Sequence, residues 1–452
     1  MAHDDHYHIH SHPALPPVPP FGPALAQPSN ATVPIPVPEN TSAGHATTLS
    51  FYSLERDLAQ LRRDAADKKI LSPNDREEIG TTNGPDPKTI LSLVIGGNLS
   101  KGPLPPPKIL VLGCHHAREW ISVQVPYLIA EYLVDRYDPS PAVPPNESAE
   151  PGTKEGQAQR IKHLVGNREI WFVPMLNPEG HNHSVLTSRK WRPNRFMHTF
   201  DTGTTITAPR KGGGARTIRV PAGTTFTGVD INRNYATDSP LDTWGFETES
   251  GSTLLTSRDP RDSGNDRSFA GQVFCGLTPE SERETQAIAE LMRNQQFSAV
   301  ISYHNFAEDI LASDETFGDT FTHSVGEGMH TLIAQRGASY QFEKASFQDS
   351  TTGDAIDFFV QKVPGRRPGY TIELSPINPP KNPDHKFSGL PETEIRHVFE
   401  DNLAAALALI NCAGFNSAPN LTTSTFRLGN PPWIATVIPN CWNRFLGWDP
   451  KL

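Results

Sequence analysis

The sequence predicts an α/β protein in which one mixed, twisted sheet carries helices on both faces. Short apolar runs of strand length alternate with amphipathic segments of helix length, the pattern of strands joined by helical crossovers. The run Lys108–Gly113 (KILVLG) is apolar after its first residue and ends at a glycine. Such a run is typical of a strand that is buried on both faces. Because no internal repeat or second boundary is visible, we expect a single domain.

The predicted elements follow one another between Leu49 and Cys412. The helix from Thr278 is supported by a Thr N-cap, a proline at the first helical position and acids in the first turn. Two polar stretches that contain several glycines, Thr202–Gly228 and Thr237–Gly271, are predicted to be surface loops. The other predictions are helices at Leu54–Lys69, Trp120–Tyr137 and Pro391–Cys412, and strands at Lys108–Gly113, Arg168–Met175, Phe297–Tyr303 and Tyr370–Leu374.

The chain divides into a leader, one domain and a tail. Residues 1–48 are rich in proline and histidine and hold too few apolar residues to offset the entropy of ordering, so a disordered leader is expected. Residues 49–413 form the predicted domain, and residues 414–452 a tail that packs back on it. The N-terminus has no signal-peptide pattern. We therefore expect a cytoplasmic protein, or a secreted one if the natural N-terminus lies upstream.

Charge and cysteine content exclude several classes of protein. The net charge is −10, from 40 basic and 50 acidic residues, whereas nucleic-acid binders usually carry a basic excess. No apolar run is long enough for a membrane span. Four scattered cysteines do not make a disulfide framework, although a bridge between Cys412 and Cys441 stays open. We expect a monomer with neither nucleic-acid nor membrane partners.

A candidate metal site follows the strand Lys108–Gly113. His116 and Glu119 are three residues apart where the chain turns towards a helix, so both side chains can reach one ion. An HxxE pair alone is common by chance, but ligands bind where strands of an α/β sheet end. His304 ends another predicted strand and offers a third ligand. Two imidazoles and one carboxylate form a zinc site with one open position, which is typical of catalytic zinc.

Further polar residues indicate a hydrolytic site. Glu373 lies in an otherwise apolar predicted strand, where a carboxylate needs either a function or an arginine partner such as Arg366 or Arg367. Arginines also occur in the segments Arg189–Arg192 and Asp230–Asn234. A guanidinium binds a carboxylate through two hydrogen bonds or stabilises a developing oxyanion. Together these residues favour hydrolysis beside an anionic group.

At this point the sequence resembles a known family, the zinc metallocarboxypeptidases of the funnelin group (carboxypeptidase A/B-like, peptidase family M14). The resemblance implies the carboxypeptidase-like fold, with an eight-stranded, mainly parallel sheet. It covers the chain from about Leu49 to Cys412 and rests on six motifs in the family's order. The motifs are HAREW at His116–Trp120, NPEG at Asn177–Gly180, RKWR at Arg189–Arg192, GVDINRN at Gly228–Asn234, SYHNF at Ser302–Phe306 and YTIEL at Tyr370–Leu374.

The resemblance implies a role for each matched residue. His116, Glu119 and His304 match the ligands of one zinc ion per chain, and Glu373 matches the general base. By this resemblance, zinc lowers the pKa of water while Glu373 takes the proton and later delivers it to the leaving amine. The remaining matches are Arg192 as oxyanion stabiliser, Asn232 and Arg233 as the grip on the substrate's terminal carboxylate, Arg118 and Arg189 along the approach, and Asp230 as acceptor for a ligating histidine.

These matches imply an exopeptidase acting on peptide or protein C-termini. Ile356 falls at the position where the family reads the C-terminal side chain and favours hydrophobic residues, although nearby Asp354 could reach a basic one. Asp349 stands where the family has a mobile tyrosine, which leaves substrate capping open. Two alternatives remain: a zinc amidohydrolase that acts on N-acyl amino acids, and a non-catalytic metal-containing binding protein. The presence of Glu373 speaks against the binding protein, because inactive relatives lose this base.

Overall fold

The computed structural model describes residues 51–97, 105–140, 154–209, 215–220, 222–237, 272, 276, 278–348, 353–365, 367–375 and 392–414. The helices in these ranges are α1 (Phe51–Asp67), α2 (Ile121–Arg136), α3 (Lys154–Asn167), α4 (Pro178–Leu186), α5 (Arg283–Gln295), α6 (Thr320–Ala334), α7 (Ala345–Gln348), α8 (Ala355–Lys362) and α9 (Glu392–Cys412). The strands are β1 (Glu78–Thr81), β2 (Thr89–Leu91), β3 (Leu93–Gly96), β4 (Lys108–Gly113), β5 (Glu169–Val173), β6 (Met197–Phe200), β7 (Thr204–Pro209), β8 (Ala215–Val220), β9 (Thr224–Thr227), β10 (Ala299–Asn305), β11 (Asp309–Ala312), β12 (Gln341–Lys344) and β13 (Gly369–Leu374). A short 3₁₀ helix spans Ile231–Arg233.

The central sheet has the strand order β12-β11-β13-β10-β4-β5-β3. Its four inner strands, β13, β10, β4 and β5, are parallel, while β11 and β3 pair with them in the antiparallel sense. The predicted mixed α/β fold is therefore confirmed. The described sheet has seven strands rather than eight, and an isolated antiparallel bridge from Leu71 to Ile95 extends the edge beyond β3.

The side chains of the inner strands alternate between two buried layers. On β4, Ile109 and Val111 belong to one apolar cluster, whereas Leu110 and Leu112 belong to the other. The first cluster also contains residues of α1, α2, α3, α6 and α9, and the second contains residues of α5 and α8. Successive strand residues point to opposite faces, so the unbroken apolar run has a layer of helices on each side.

The order of the inner strands fixes where a site can form. After β4 the chain moves to one side of the sheet to form β5, and later returns to form β10 and β13 on the other side. The junction between β4 and β10 is therefore a topological switch point, where the segments that leave neighbouring strands diverge and open a crevice. His116 and Glu119 follow β4, and His304 lies near the carboxyl end of β10.

Most predicted strands agree with the structure, but two other predictions were wrong. The predicted helix from Thr278 begins instead at Arg283, after a turn in which Glu280 has a φ of 54°. That left-handed conformation cannot belong to a right-handed helix. The predicted surface loop Thr202–Gly228 contains strands: β7 pairs with β8, and β9 pairs with β6. Its many threonines are β-branched and favour strands.

Several predictions fall on residues that the structure leaves undescribed. The leader (residues 1–48), nearly all of the Thr237–Gly271 segment, the tail after Gly414, Arg366 and Asp349 lie outside the described ranges. Arg367, the other proposed partner of Glu373, donates instead to the backbone carbonyls of Gln296 and Phe297. Among the described helices, none combines the length and the apolar character that crossing a bilayer requires.

Candidate metal centre

The segment that follows β4 is held in place from three directions. Gly113 has no room for a side chain, because a Cβ would lie 2.0 Å from the carbonyl oxygen of Ser122. Asn177 at the start of α4 donates from Nδ2 to the carbonyl of His115 at 3.1 Å, and Ser184 on the same helix donates to the carbonyl of Ala117 at 2.7 Å. The amide of Ala117 donates to the carbonyl of Arg192 at 2.8 Å. The backbone that carries the candidate ligands is thus fixed by its neighbours.

Three buried side chains converge at the switch point. His116 Nδ1 lies 2.7 Å from Glu119 Oε1, and His304 Nδ1 lies 3.1 Å from both His116 Nδ1 and Glu119 Oε2. Bonds of about 2.0–2.1 Å in a tetrahedral zinc site place the ligand atoms roughly 3.3 Å apart. The two separations from His304 are close to that value, and the His116–Glu119 separation is shorter. His116, Glu119 and His304 therefore fit a zinc ion with an open fourth position.

The second ring nitrogen of each histidine also has a polar neighbour. His116 Nε2 is 3.2 Å from Asp230 Oδ1, and His304 Nε2 is 3.1 Å from Ser302 Oγ. Such neighbours set the tautomer and the orientation of a metal-binding imidazole. They leave both Nδ1 atoms directed at the shared centre.

The charges of the centre suit a cation. Burial lowers the pKa of His304, which favours the neutral imidazole. Burial alone would raise the pKa of Glu119, but His116 and His304 beside it hold that pKa well below its usual range. Likewise, burial opposes ionisation of Asp230, yet Arg192 and His116 keep its pKa well below the ordinary value. Neutral imidazole and ionised carboxylate are the protonation states that metal binding requires.

Two further candidate residues flank this centre. Arg192 Nε donates to Asp230 Oδ2 at 2.9 Å, and its Nη1 lies 3.7 Å from Glu119 Oε1. Glu373 pairs in register with His304 on the neighbouring parallel strand, so both side chains project from the same face of the sheet. Burial, followed by the charge of Glu119, raises the pKa of Glu373 well above its ordinary value. A carboxyl with a raised pKa beside a metal centre can exchange protons near neutral pH.

Comparison with known proteins shows the family to which this arrangement belongs. Residues 77–405, more than half of the chain, match the Peptidase_M14 family, described as zinc carboxypeptidase. The chain belongs to this family. The name of the family implies zinc as the cofactor, and His116, Glu119 and His304 form a group that could hold it.

The matched relatives of this chain are distant. Bovine carboxypeptidase O is 24% identical over 319 residues, which cover 68% of this chain and 66% of the relative, just under two thirds of its length. A relative from Ajellomyces capsulatus named inactive metallocarboxypeptidase ECM14 is 22% identical over 64% of this chain and 42% of its own length. The structure of bovine thrombin-activatable fibrinolysis inhibitor, in complex with a tick carboxypeptidase inhibitor, superimposes with a TM-score of 0.54. It is 17% identical and covers 80% of this chain and 96% of its own, so the likeness supports the fold.

The two arginines predicted to line the approach have different surroundings. Arg118 is 1% exposed, and burial together with Arg192 lowers its pKa to about 9. Arg189 is half-buried, with its guanidinium carbon 5.7 Å from the centre of the Trp120 ring. The buried Nη1 of Arg189 has no hydrogen-bond partner within the described ranges. Of the two, Arg189 is therefore the better placed to meet a ligand.

The residues predicted to grip a substrate carboxylate lie in the 3₁₀ helix. Asp230 caps this helix by accepting from the amide of Asn232 at 3.0 Å. Asn232 Oδ1 accepts from the amide of Ala355 at 3.1 Å, which leaves the amide nitrogen of its side chain as the donor. Half-buried Arg233 donates to the carbonyl of Asn232 at 2.8 Å. The capping by Asp230 joins this segment to the metal centre.

The two residues predicted to select the substrate side chain begin α8. Asp354 Oδ1 accepts from the amides of Ile356 and Asp357, both at 2.9 Å, so this carboxylate caps the helix. Ile356 is 3% exposed and belongs to the second apolar cluster. In this structure both residues support α8, and their influence on substrate choice stays a prediction.

Three buried residues near the metal centre were not predicted from the sequence: His115, Ser302 and Tyr235. Ser302 could have been predicted, because residues two apart on a strand share a face and Ser302 precedes His304 by two. His115 was not proposed because its neighbour, His116, already matched the family's ligand. No sequence pattern pointed to Tyr235, which lies outside the matched motifs.

Proposed function

We propose that this protein is an active zinc-dependent metallocarboxypeptidase that removes C-terminal residues from peptides with a free carboxylate. The observation that carries this proposal is the convergence of two imidazoles and a carboxylate at the sheet's switch point, with Glu373 in register beside His304. Zinc, when bound, supplies a Lewis acid that polarises a carbonyl and lowers the pKa of water.

The chain's own residues supply proton transfer and charge stabilisation. Glu373 takes the proton of the attacking water and delivers it to the amine that leaves. Its half-buried setting and raised pKa suit a group that gains and loses a proton in one cycle. Arg192, oriented by Asp230, stabilises the oxyanion that develops on the scissile carbonyl.

The preference for a C-terminus comes from the 3₁₀ helix. The side-chain amide of Asn232 and the guanidinium of Arg233 together offer several N–H donors, which match the geometry of a carboxylate. Arg118 and Arg189 add positive charge along the approach. A preference for hydrophobic C-terminal residues, from Ile356, belongs to the same proposal.

The deciding experiment follows a peptide mixture by mass spectrometry after incubation with the zinc-loaded protein. Peptides with free C-termini are compared with the same peptides amidated, and Glu373→Gln serves as the matched variant. We expect loss of single residues from free termini only, and none with Glu373→Gln although it still binds zinc. Equal trimming of amidated peptides would refute the role of Asn232 and Arg233.

One matched relative carries the name of an inactive metallocarboxypeptidase, so the binding-protein alternative is tested in the same assay. A wild-type protein that binds zinc stoichiometrically but trims no peptide would favour it. Hydrolysis of N-acyl amino acids in preference to peptides would favour the amidohydrolase instead.

A further inference from the structure

A buried chain of hydrogen bonds runs away from the metal centre. Ser302 Oγ lies 3.1 Å from His304 Nε2 and 3.2 Å from His115 Nδ1, so one hydroxyl joins two imidazoles. His115 Nε2 lies 3.1 Å from the hydroxyl of Tyr235. The rings of His115 and His304 are stacked, with centroids 5.3 Å apart and an interplanar angle of 16°. All four residues are at most 1% exposed.

Metal binding at His304 determines which atom carries each proton in this chain of hydrogen bonds. A ligating Nδ1 has no proton, so His304 Nε2 carries the hydrogen and donates it to Ser302 Oγ. We assign the hydroxyl hydrogen of Ser302 to its second imidazole neighbour, His115 Nδ1, which then accepts. His115 therefore carries its own hydrogen on Nε2 and donates it to Tyr235. In this order each of the three contacts joins one donor to one acceptor, and the hydrogen bonds run in one direction from His304 to Tyr235.

This chain of hydrogen bonds also reaches the segment that begins α8. The amide of Tyr235 donates to the carbonyl of Gly353 at 3.0 Å, and its ring lies 5.5 Å from that of Phe358. Gly353 has a φ of 80°, and a Cβ there would lie 2.4 Å from the carbonyl oxygen of Arg233. His115 thus links a metal ligand to the backbone that holds Arg233 and the start of α8.

We propose that His115 is a positioning residue that orients the zinc ligand His304 through Ser302. This inference rests on the zinc site of the proposed function. A histidine that merely fills the core needs partners for its nitrogens, but those partners need not lead to a ligand. Here the Nδ1 partner is the same hydroxyl that holds His304. Residues that orient metal ligands in this way typically contribute about 10–100-fold to metal affinity.

Two substitutions at His115 separate hydrogen bonding from packing. Asparagine places its Oδ1 near the position of Nδ1 and keeps the bond to Ser302, whereas glutamine places its amide nearer Nε2 and keeps only the bond to Tyr235. Zinc affinity of the full chain, measured by competition with a chromophoric chelator, should fall about 10-fold for His115→Gln, and stay within about threefold of wild type for His115→Asn. Ser302→Ala should lose about 10–100-fold. Equal affinities for the asparagine and glutamine variants would overturn the proposal.

A second measurement reports which atoms carry the protons, and it depends on neither zinc affinity nor catalysis. In the zinc-loaded protein with ¹⁵N-labelled histidine, the His115 resonances are identified by their absence from the His115→Asn spectrum. We expect the neutral tautomer with the hydrogen on Nε2, and the opposite tautomer would overturn the proposal. If His115→Gln does not fold in thermal unfolding of the metal-free chain, Ser302→Ala and the tautomer decide. A wild-type chain that binds zinc but trims no peptide would overturn the peptidase function alone.

Discussion

Replacing Asp230 by asparagine should weaken both the fold and the metal centre. Asp230 is completely buried, accepts from Arg192 Nε at 2.9 Å and from the amide of Asn232 at 3.0 Å, and has His116 Nε2 3.2 Å from its Oδ1. Asparagine has nearly the same shape, so no cavity forms. Its amide nitrogen, however, must replace one of the two carboxylate oxygens and there faces a donor.

The contacts indicate which oxygen is lost and at what cost. Oδ1 meets His116 and Asn232, whereas Oδ2 meets Arg192 alone, so the amide nitrogen should turn towards Arg192. Breaking a buried ion pair costs about 3–5 kcal/mol, because the remaining charge is left uncompensated. Glu119 still lies 3.7 Å from Arg192 Nη1, so we expect the lower end, about 3 kcal/mol. His116 keeps a neutral acceptor, so zinc affinity should fall about 10-fold.

The free energy of unfolding of the metal-free chain, from urea titration, and the zinc dissociation constant test this reasoning. Asp201→Asn is the matched control, since Asp201 is exposed and the substitution removes the same charge. Peptide trimming at saturating zinc should fall about 10²–10³-fold, because Arg192 loses the partner that orients it towards the oxyanion. If Asp230→Asn matches Asp201→Asn in stability and zinc affinity, the buried pair has no such role.

Three further predictions concern packing, pH and zinc. Gly113→Ala should lower the free energy of unfolding, measured by urea titration, by about 1–3 kcal/mol or more. The new Cβ would lie 2.0 Å from the carbonyl oxygen of Ser122 and 2.7 Å from that of Pro174. An unchanged urea midpoint would contradict this. Burial, and then Glu282, raise the pKa of Glu284 to about 8. The folded chain therefore keeps a proton that the unfolded chain releases above its ordinary pKa, and the free energy of unfolding should fall as pH rises towards 8. Glu284→Gln should flatten that slope, and an identical slope in the variant would count against it. Removing zinc with a chelator should lower the midpoint of thermal unfolding. Restoring free zinc to about 100 times its dissociation constant should raise the free energy of unfolding by about 2.7 kcal/mol. A midpoint insensitive to zinc would refute a metal site in the folded chain.

Local sequence patterns predicted the centre of the fold better than its periphery. The apolar run Lys108–Gly113 coincides with β4, and Tyr370–Leu374 lies within β13, because a strand buried on both faces must be apolar along its whole length. The strands β11 and β12, at one end of the sheet, were not predicted. Each has only four residues, and the edge strand β12 is partly exposed, so these sequences carry little periodic signal.

The helix α6 was missed for a different reason. Its sequence, Thr320–Ala334, contains three threonines and two glycines, which are poor helix formers. The buried residues of this helix, among them Val325, Met329 and Leu332, join the first apolar cluster. Tertiary burial therefore outweighs local propensity here. That contribution depends on partners distant in sequence, so no local pattern reveals it.

The two adjacent histidines show where sequence spacing stops being informative. His115 and His116 precede Glu119 by four and three residues, and both spacings can bring side chains together on a helix. The chain is not yet helical there: Cys114 has a φ of 57°, and α2 begins only at Ile121. This turn directs His116 Nδ1 to Glu119, whereas His115 points to Ser302 and Tyr235. The choice between ligand and positioning residue is thus made by a left-handed turn at a non-glycine residue, a conformation that residue type alone rarely signals.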